Sequence, residues 1–256
     1  MNIELNKIYC SDCIELMKEL PDNFVDLIFA DIPYESLDFR WLEDGFRVLK
    51  STGSFYLMTD YRSVAQWKLE LDKKGIFQNW ILWLYRKGTK TKTRFTRSHQ
   101  DILFYTKNNN YNFNPVEIRT VPRLQQALQK GQADEEGFLL VKHFSPQMKE
   151  KQWNQKCNLR VTNCPDWWYI PIVARGNNPE TKWGRHPFQK PEKLLERIIL
   201  ASSNENDIVF DPFTGSGTTA VVAKKLGRNY LGCDINQEYL EIANRRLEEI
   251  LRAYER

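Results

Sequence analysis

The sequence predicts an α/β fold, a mostly parallel β-sheet with helices on both faces and an irregular inserted region. Apolar, strand-like runs alternate with amphipathic, helix-like runs over residues 1–107, and the alternation returns over residues 186–256. The strand-like runs are almost continuously apolar, as expected for parallel strands that are buried on both faces.

Residues 1–107 form the first half of the predicted sheet. Its strands are KIYCS, VDLIFAD, GSFYLMTD, NWILWLY and DILFYTK. Its helices are DCIELMKEL, FRWLEDGFRVL and RSVAQWKLELDKKG, the last of which ends at Gly75. This order of strand and helix predicts crossover connections between parallel strands.

Residues 186–256 form the second half of the same sheet. The helix KPEKLLERIILASS has Pro191 in its first turn, where proline is tolerated. There follow the strand DIVFDPF, the helix GTTAVVAKKLG, the strand NYLGCDI and the amphipathic helix QEYLEIANRRLEEILRAY. Between the halves, residues 108–185 lack this alternation, and we expect an inserted region with Trp167 and Trp168 in its core.

Composition excludes several classes of protein. The chain has 256 residues, of which 41% are hydrophobic and 27% charged, values typical of a globular protein. It has no uninterrupted apolar run of about 18 residues, and its N-terminus lacks the basic and apolar regions of a signal peptide. Five cysteines, with a lone Cys10–Cys13 pair and Cys157 and Cys164 seven apart, favour a reducing cytoplasm over secretion or a zinc site.

Positive charge is concentrated in one segment. Residues 86–130 contain ten Lys or Arg and two acidic residues, whereas the net charge of the whole chain is only +4. The densest part, RKGTKTKTRFTR at 86–97, indicates contact with a polyanion such as DNA, although a solvated loop is the alternative. The candidate phosphate contacts are Lys90, Lys92, Arg94 and Arg97.

The stretch FDPFTGSGTTA at 210–220 indicates a nucleoside-containing cofactor. Gly215 permits a tight turn, Gly217 would let a ligand approach the backbone, and Ala220 lets the helix pack closely. Asp234, seventeen residues after Gly217, can accept both hydroxyls of a ribose. Asp211 would oppose a pyrophosphate but suits an ammonium group, which favours S-adenosylmethionine over NAD.

The stretch FADIPYES at 29–36 places a carboxylate and an aromatic ring where a buried strand ends. Asp and Pro are ordinary turn residues, so a strand-terminating turn is one interpretation. The other is a binding site, because ligands bind at the strand ends of open α/β sheets.

Four stretches in one order, DIPY, HPFQKPEKLLERII, DPFTGSGTTA and LGRNYLGCDI, resemble the β group of DNA amino-methyltransferases. The chain is most similar to the adenine-N6 methyltransferases of bacterial restriction–modification systems, of the MboII methylase type. The resemblance implies a Rossmann-like methyltransferase fold, S-adenosylmethionine as cofactor and double-stranded DNA as substrate. It also implies a homodimer, a cognate restriction endonuclease as a possible partner, and a cytoplasmic location without a membrane.

The resemblance assigns catalysis to Asp31, Ile32, Pro33 and Tyr34. Asp31 and a backbone carbonyl near Pro33 would accept the two N–H groups of the target amine, and Tyr34 would stack on the extruded base. In this family, enzymes with an aspartate at this position methylate N6 of adenine, and those with a serine usually methylate N4 of cytosine. The usual family pattern is D-P-P-Y, and Ile32 replaces its first proline. Weaker catalysis is one consequence of this difference, and a tolerated substitution is the other.

The resemblance also assigns the cofactor site. Asp12 would lie near the adenine amino group, although a helix N-cap is its alternative role, and Lys190 would meet the methionine carboxylate. The complete set of predicted cofactor residues is Asp12, Cys13, Asp31, Phe188, Lys190, Asp211, Pro212, Phe213, Gly215, Ser216, Gly217, Thr218 and Asp234. We expect His186 to be a packed imidazole rather than a catalytic group, since transfer from a sulfonium needs neither a metal nor a nucleophilic side chain.

Sequence recognition is expected from the inserted region. Arg119 and Arg123 join the predicted DNA-binding residues, and the candidates for base contacts are Arg119, Arg123, Gln125, Gln126, Asn177 and Asn178. Three alternatives remain open at this point: a cytosine-N4 methyltransferase, a DNA-binding protein that has lost catalysis, and an NAD-dependent dehydrogenase.

Overall fold

The computed structural model describes residues 3–33, 36–85, 92–93, 95–115, 117–120, 160–173, 179–184 and 186–254. The chain divides into two compact units, one of Met1–Asn114 with Asp166–Arg256 and one of Pro115–Pro165. The second unit contains fewer residues than the inserted region that we expected at 108–185. The described residues of 108–114 and 166–184 group with the first unit.

The first unit is built on an eight-stranded sheet in the order β1-β10-β9-β2-β3-β5-β4-β8. The described strands, in chain order, are β1 (Lys7–Cys10), β2 (Val25–Asp31), β3 (Leu49–Thr59), β4 (Ile76–Leu84), β5 (His99–Thr106), β6 (Glu117–Thr120), β7 (Arg160–Asn163), β8 (Trp167–Tyr169), β9 (Ile208–Asp211) and β10 (Asn229–Asp234). Strand β5 runs antiparallel to both β3 and β4. The other neighbours are parallel, so the predicted mostly parallel sheet is confirmed.

Helices lie on both faces of this sheet. Those described are α1 (Cys13–Lys18), α2 (Trp41–Val48), α3 (Val64–Leu71), α4 (Glu192–Ser202), α5 (Thr218–Lys225) and α6 (Gln237–Tyr254), with a 3-10 turn at Pro179–Thr181. Successive residues of β3 point to opposite faces, so Phe55 stacks on Phe46 of α2 at 4.8 Å while the Tyr56 hydroxyl meets Ser202 of α4 at 2.7 Å. Among the described residues no helix is long and apolar enough to cross a membrane.

We predicted that Trp167 and Trp168 lie in the core of the inserted region, and this prediction is wrong. They belong to β8, which pairs in parallel with β4 and places Trp168 beside Trp83. Trp168 is almost fully buried, and the guanidinium of Arg197 lies 5.2 Å from its ring centre. The dense apolar patch around these tryptophans is therefore an edge strand of the main sheet.

The second unit contains a two-stranded antiparallel sheet. Strands β6 and β7 pair so that Glu117 faces Asn163 and Thr120 faces Arg160. Arg119, a predicted DNA contact, is on β6 opposite Val161.

Candidate active site

Three aspartates lie at one edge of the sheet because three parallel, neighbouring strands end in them. Asp31 ends β2, Asp211 ends β9 and Asp234 ends β10, and β9 lies between the other two. Ligands bind beyond the carboxyl ends of the strands in open α/β sheets, so the predicted catalytic and cofactor carboxylates are brought together there.

Asp31 is paired with Lys190, which lies 159 residues further along the chain. The Lys190 ammonium donates to Oδ2 of Asp31, and it also donates to the carbonyl of Phe188 at 3.1 Å. The Lys190 side chain is only 7% exposed. Burial raises the pKa of the Asp31 carboxyl above its ordinary value, and the positive charge of Lys190 opposes that rise.

The residue after Asp31 continues the hydrogen bonding of the sheet. The N–H of Ile32 donates to the carbonyl of Met58 at 3.2 Å, and its side chain is 3% exposed within the main hydrophobic core. A proline in this place could not make this hydrogen bond, because it has no N–H. The carbonyl of Pro33 accepts from the N–H of Ser36 at 3.1 Å. Tyr34 lies outside the described residues.

Asp211 is a buried carboxyl beside the glycine-rich turn. Its Oδ1 accepts from the N–H of Phe213 at 3.0 Å, and its Oδ2 accepts from the hydroxyl of Thr219. Burial raises the pKa of Asp211 to about 7, and the nearby carboxylates add to the rise. Both of these donors are neutral, so an ammonium group of a ligand would supply a positive charge that suits this carboxyl.

Two glycines of the turn have left-handed backbone angles, with φ of 52° at Gly215 and 76° at Gly217. The N–H of Gly215 donates to Asp234 Oδ2 at 2.9 Å. A Cβ at Gly217 would lie 2.6 Å from the Cβ of Ala243 in α6. Close packing against α6 therefore requires a glycine here, in addition to the ligand approach that the motif predicts.

Asp234 and Asp12 are close in the fold, because Asp12 follows β1, the neighbour of β10. Asp234 Oδ1 accepts from the N–H of Asn236 at 2.8 Å, and each carboxylate oxygen keeps capacity for further donors. Asp12 caps α1, because its Oδ1 accepts hydrogen bonds from the N–H groups of Ile14 at 2.8 Å and Glu15 at 3.4 Å. The N-cap role of Asp12 is thus present in the structure.

His186 is a packed imidazole. Its Nδ1 accepts from the N–H of Phe188 at 3.3 Å, and its ring meets the edge of Tyr239 at 4.2 Å. Burial lowers the pKa of His186 to about 4, so the ring is neutral at pH 7. Phe188 itself is half exposed.

Five other predicted cofactor residues have well-defined surroundings. Cys13 is buried, which raises the pKa of its thiol to about 12 and keeps it protonated. The carbonyl of Pro212 accepts from the Cys233 thiol, and the ring of Phe213 meets the edge of Trp41 at 5.3 Å. Ser216 and Thr218 are also buried.

Arg246 is a residue of this site that the sequence analysis missed. Its guanidinium, almost fully buried, donates to the Ser216 carbonyl at 2.8 Å and to the Thr218 hydroxyl at 2.9 Å. It also donates to Glu192 of α4 at 3.1 Å. The signal was its position in the apolar stripe of α6, three residues after the buried Ala243.

The predicted DNA contacts are only partly described. Arg97 lies 3.6 Å from Asp60 and stacks over the ring of Tyr61, and Lys92 is exposed. Of Arg119 only the backbone is described. The predicted residues outside the described part are Lys90, Arg94, Arg123, Gln125, Gln126, Asn177 and Asn178.

The described ranges contain no group of three or more His, Cys, Asp or Glu that could hold a metal ion. Of the lone cysteine pair, Cys10 is exposed and Cys13 is buried.

Comparison with known proteins identifies the family of this chain. A family model described as DNA methylase, of the N6/N4 type, matches residues 25–245, which include all three aspartates and the glycine-rich turn. The chain belongs to the N6/N4 DNA methylase family. The predicted resemblance is thereby confirmed.

Curated relatives of this DNA methylase match most of its length. It is 35% identical to the type II methyltransferase M1.MboII of Moraxella bovis, over 94% of this chain and 96% of that protein. It is 33% identical to the DNA adenine methyltransferase YhdJ of Escherichia coli strain K12, over 96% of this chain and 83% of that protein.

Solved structures share the fold of this DNA methylase. The M1.HpyAVI–SAM complex superposes with a TM-score of 0.63 at 22% identity, covering 94% of this chain and 98% of that one. The cytosine-N4-specific PvuII DNA methyltransferase superposes with a TM-score of 0.66 at 16% identity, covering 94% of this chain and 85% of that one. The methyltransferase fold predicted from the sequence is confirmed.

Proposed function

We propose that this DNA methylase transfers a methyl group from S-adenosylmethionine to N6 of an adenine extruded from double-stranded DNA at a specific site. One observation carries the proposal: Asp31, the predicted catalytic carboxylate, shares a sheet edge with Asp211 and Asp234 of the predicted cofactor site. Relatives include a named DNA adenine methyltransferase.

The residues at this edge fit the cofactor. Asp211, buried among neutral donors, suits the ammonium of the methionine part, and Asp234 suits ribose hydroxyls. The Lys190 ammonium, which lies beside Asp31 and the Phe188 carbonyl, has the charge that suits the carboxylate of the methionine part. When bound, the cofactor supplies an electrophilic methyl group on a sulfonium.

Asp31 makes the target amine more nucleophilic. The lone pair of an exocyclic amine is delocalised into the ring, and a carboxylate that accepts an N–H hydrogen bond localises it on nitrogen. Lys190 opposes the rise in the pKa of Asp31 that burial causes, which favours the ionised carboxylate, and it holds the direction of the side chain. The amine loses one proton when it gains the methyl group, and the raised pKa of Asp31 fits a carboxylate that takes up this proton.

The backbone near Asp31 provides the second acceptor. The Ile32 N–H bond to Met58 continues the pairing of β2 with β3 and positions the carbonyls that follow Asp31. We assign the stacking of the extruded base to Tyr34, by its place in the motif.

Adenine is the proposed target because the motif carries an aspartate rather than a serine. Cytosine N4 is the second candidate, since a cytosine-N4-specific enzyme shares the fold. Incubation with isotopically labelled cofactor and unmethylated bacterial DNA, followed by nucleoside mass spectrometry, separates them. N6-methyladenine is expected, whereas N4-methylcytosine would assign the other base.

DNA contacts are proposed for the basic segment and the inserted region. Lys90, Lys92, Arg94 and Arg97 would bind phosphates, while Arg119 and Arg123 would bind DNA from the region proposed to recognise the target sequence. We propose that residues 108–185 recognise the sequence, between catalytic (1–107) and cofactor-binding (186–256) halves of one sheet. Exchange of this region with that of a relative should transfer the target sequence, as read by sequencing the methylated sites.

The cellular setting is also part of the proposal. A type II relative implies a cognate restriction endonuclease, a cytoplasmic location and, by the resemblance, a homodimer. Light scattering of the purified protein tests the dimer. Digestion of plasmid DNA from cells that express this protein tests for protection at the methylated site.

A further inference from the structure

A buried tryptophan of α3 is hydrogen-bonded to the chain just after the proposed catalytic motif. Trp67 is the fourth residue of this helix, and its side chain is fully buried. Its indole Nε1–H donates to the main-chain carbonyl of Ser36 at 3.1 Å. Ser36 comes two residues after Tyr34 in the sequence, so this hydrogen bond attaches the chain to α3 close to the motif.

The motif is also bonded to Ser36 and to the sheet. The N–H of Ser36 donates to the carbonyl of Pro33 at 3.1 Å. Before Pro33, the N–H of Ile32 donates to the carbonyl of Met58 in β3. The chain is therefore attached to β3 before Tyr34 in the sequence and to α3 after it. Groups that are held by rigid elements in this way keep the geometry that a reaction needs.

Aromatic packing fixes the orientation of the indole. The ring of Phe39 meets the ring of Trp67 edge-on, with centroids 4.7 Å apart. Trp41, the first residue of α2, lies 6.0 Å from Trp67 and 5.3 Å from Phe213 beside the glycine-rich turn. Because neighbouring rings hold the indole in the core, its N–H stays directed at one carbonyl.

The indole N–H makes tryptophan the suitable residue at this position. The hydrogen bond to Ser36 is partly buried, so water competes only weakly for this carbonyl. Tryptophan combines a large apolar ring system with a single donor, and Trp67 therefore fills the core and satisfies the carbonyl at the same time. Phenylalanine would fill much of the same space but would leave the carbonyl without this donor.

We propose that Trp67 is a positioning residue for methyl transfer, which holds the chain at Ser36 so that Tyr34 and the carbonyl near Pro33 meet the target adenine. The inference rests on the proposed function and adds Trp67 and Phe39 to it. Trp67 acts through the loop, because its own side chain is fully buried. A displacement of roughly 1 Å at a reacting centre can lower a rate by about a hundredfold, so a single hydrogen bond to this loop matters for catalysis.

Trp67→Phe tests this role, because it removes the indole N–H and keeps an aromatic ring in the core. The measurement is the rate of a single turnover at saturating DNA and cofactor, with labelled S-adenosylmethionine and unmethylated bacterial DNA. This rate should fall about tenfold, as expected when a lost hydrogen bond displaces a catalytic loop. The Kd values for S-adenosylmethionine and for DNA should stay those of the wild type, because the cofactor carboxylates and the basic segment are unchanged.

Trp83→Phe is the matched control. Trp83 is also buried, and its indole also donates to a main-chain carbonyl, that of Ile170 at 2.8 Å. Both variants lose part of a ring system and one hydrogen bond, so both should have a lower thermal midpoint. Only Trp67→Phe should have a lower single-turnover rate when all proteins are assayed well below their thermal midpoints.

Phe39→Leu tests the same role from the side of the loop. It removes the edge contact with Trp67 and leaves the indole N–H in place. The single-turnover rate should fall about threefold to tenfold, the effect of losing one aromatic pair, while the affinity for S-adenosylmethionine is kept. This variant provides the test if Trp67→Phe does not fold.

The outcomes distinguish this inference from the proposed function. If the wild type methylates DNA and the folded Trp67→Phe and Phe39→Leu variants keep its single-turnover rate, the positioning role is wrong and the proposed function stands. If Trp83→Phe is slowed as much as Trp67→Phe, the slower rate follows from lower stability and the positioning role is again wrong. If the wild type methylates no duplex, both are wrong.

Discussion

Arg246 of α6 donates a hydrogen bond of 2.8 Å to the main-chain carbonyl of Ser216, and so joins the C-terminal helix to the glycine-rich turn. The same guanidinium reaches Thr218 and Glu192, so one side chain ties α4, α5 and α6 together beside the glycine-rich turn. We conclude that Arg246 determines the conformation of a turn whose own residues are small.

Arg246→Ala should lower the free energy of unfolding by about 2–4 kcal/mol, because buried acceptors and Glu192 lose a charged donor. Affinity for S-adenosylmethionine, measured by calorimetry, should fall at least about tenfold if the loop loses its conformation, which corresponds to 1.4 kcal/mol. Arg245→Ala is the matched control, because Arg245, the neighbour of Arg246, is exposed and lies 3.7 Å from its partner Glu241. Equal cofactor affinity in the wild type and Arg246→Ala would contradict this role.

Lys190→Gln should shift the acid limb of the pH–rate profile. In the proposed mechanism Asp31 acts as a carboxylate, so activity is expected above its pKa and is lost as the pH falls through that pKa. Burial raises this pKa and Lys190 opposes the rise, so the loss of Lys190 raises the pKa further. The acid limb of kcat/KM for DNA, measured at saturating cofactor, should therefore move to higher pH.

The control for Lys190 is Lys73→Gln, which removes an exposed lysine paired with Glu70 and should leave the profile in place. A Lys190→Gln profile that falls uniformly at every pH would mean that Lys190 acts on cofactor binding and not on the charge of Asp31.

Asp211→Asn should stabilise the protein in the absence of cofactor while weakening cofactor binding. The pKa of Asp211 is about 7 in the folded protein and about 3.9 in an unfolded chain, so the folded state binds the extra proton. Stability of the wild type is therefore lost as the pH rises from about 4 through 7. The variant does not titrate, and its advantage in unfolding free energy should grow to about 2–4 kcal/mol above pH 7.

Chemical denaturation of wild type and Asp211→Asn at pH 5 and pH 8 measures this difference. If the difference in unfolding free energy between the two proteins is the same at both pH values, Asp211 is ionised in the folded protein at both. Cofactor binding should also release protons near pH 6.5, detected as a dependence of calorimetric enthalpy on the buffer, because an ammonium ligand favours the ionised form of Asp211.

Ile32→Pro would restore the usual family motif, yet we expect it to harm this protein. Proline cannot donate to the Met58 carbonyl and removes a buried side chain from the core, so stability should fall by about 2–4 kcal/mol. The methylation rate should not exceed that of the wild type. The control Ile32→Val keeps the N–H and should lower the free energy of unfolding by only about 1 kcal/mol. A methylation rate of Ile32→Pro above that of the wild type would instead mean that the isoleucine weakens catalysis.

Much of the site could be predicted because its signals are local. Asp211, the glycine turn and Asp234 follow one another as strand, turn, helix and strand, and apolar runs with glycines between them mark these elements. The sheet edge that collects Asp31 then follows from parallel pairing, since every parallel strand presents its carboxyl end on the same side.

The contacts that the sequence did not predict join distant parts of the chain. Lys190 and Asp31 are 159 residues apart, and no local pattern shows that the ammonium meets that carboxylate. Gly217 matched the motif, but its close packing against Ala243 of another helix was not visible in the motif. Trp168 was assigned to the inserted region because its neighbours lack alternation, whereas a three-residue strand needs only an available sheet edge.

The most direct test compares the wild type with Asp31→Ala, using labelled cofactor, unmethylated DNA and nucleoside mass spectrometry, with calorimetry of cofactor binding alongside. Labelled N6-methyladenine from the wild type, absent from Asp31→Ala although that variant still binds the cofactor, is the predicted result. N6-methyladenine at an undiminished rate from Asp31→Ala would contradict the catalytic role of this carboxylate.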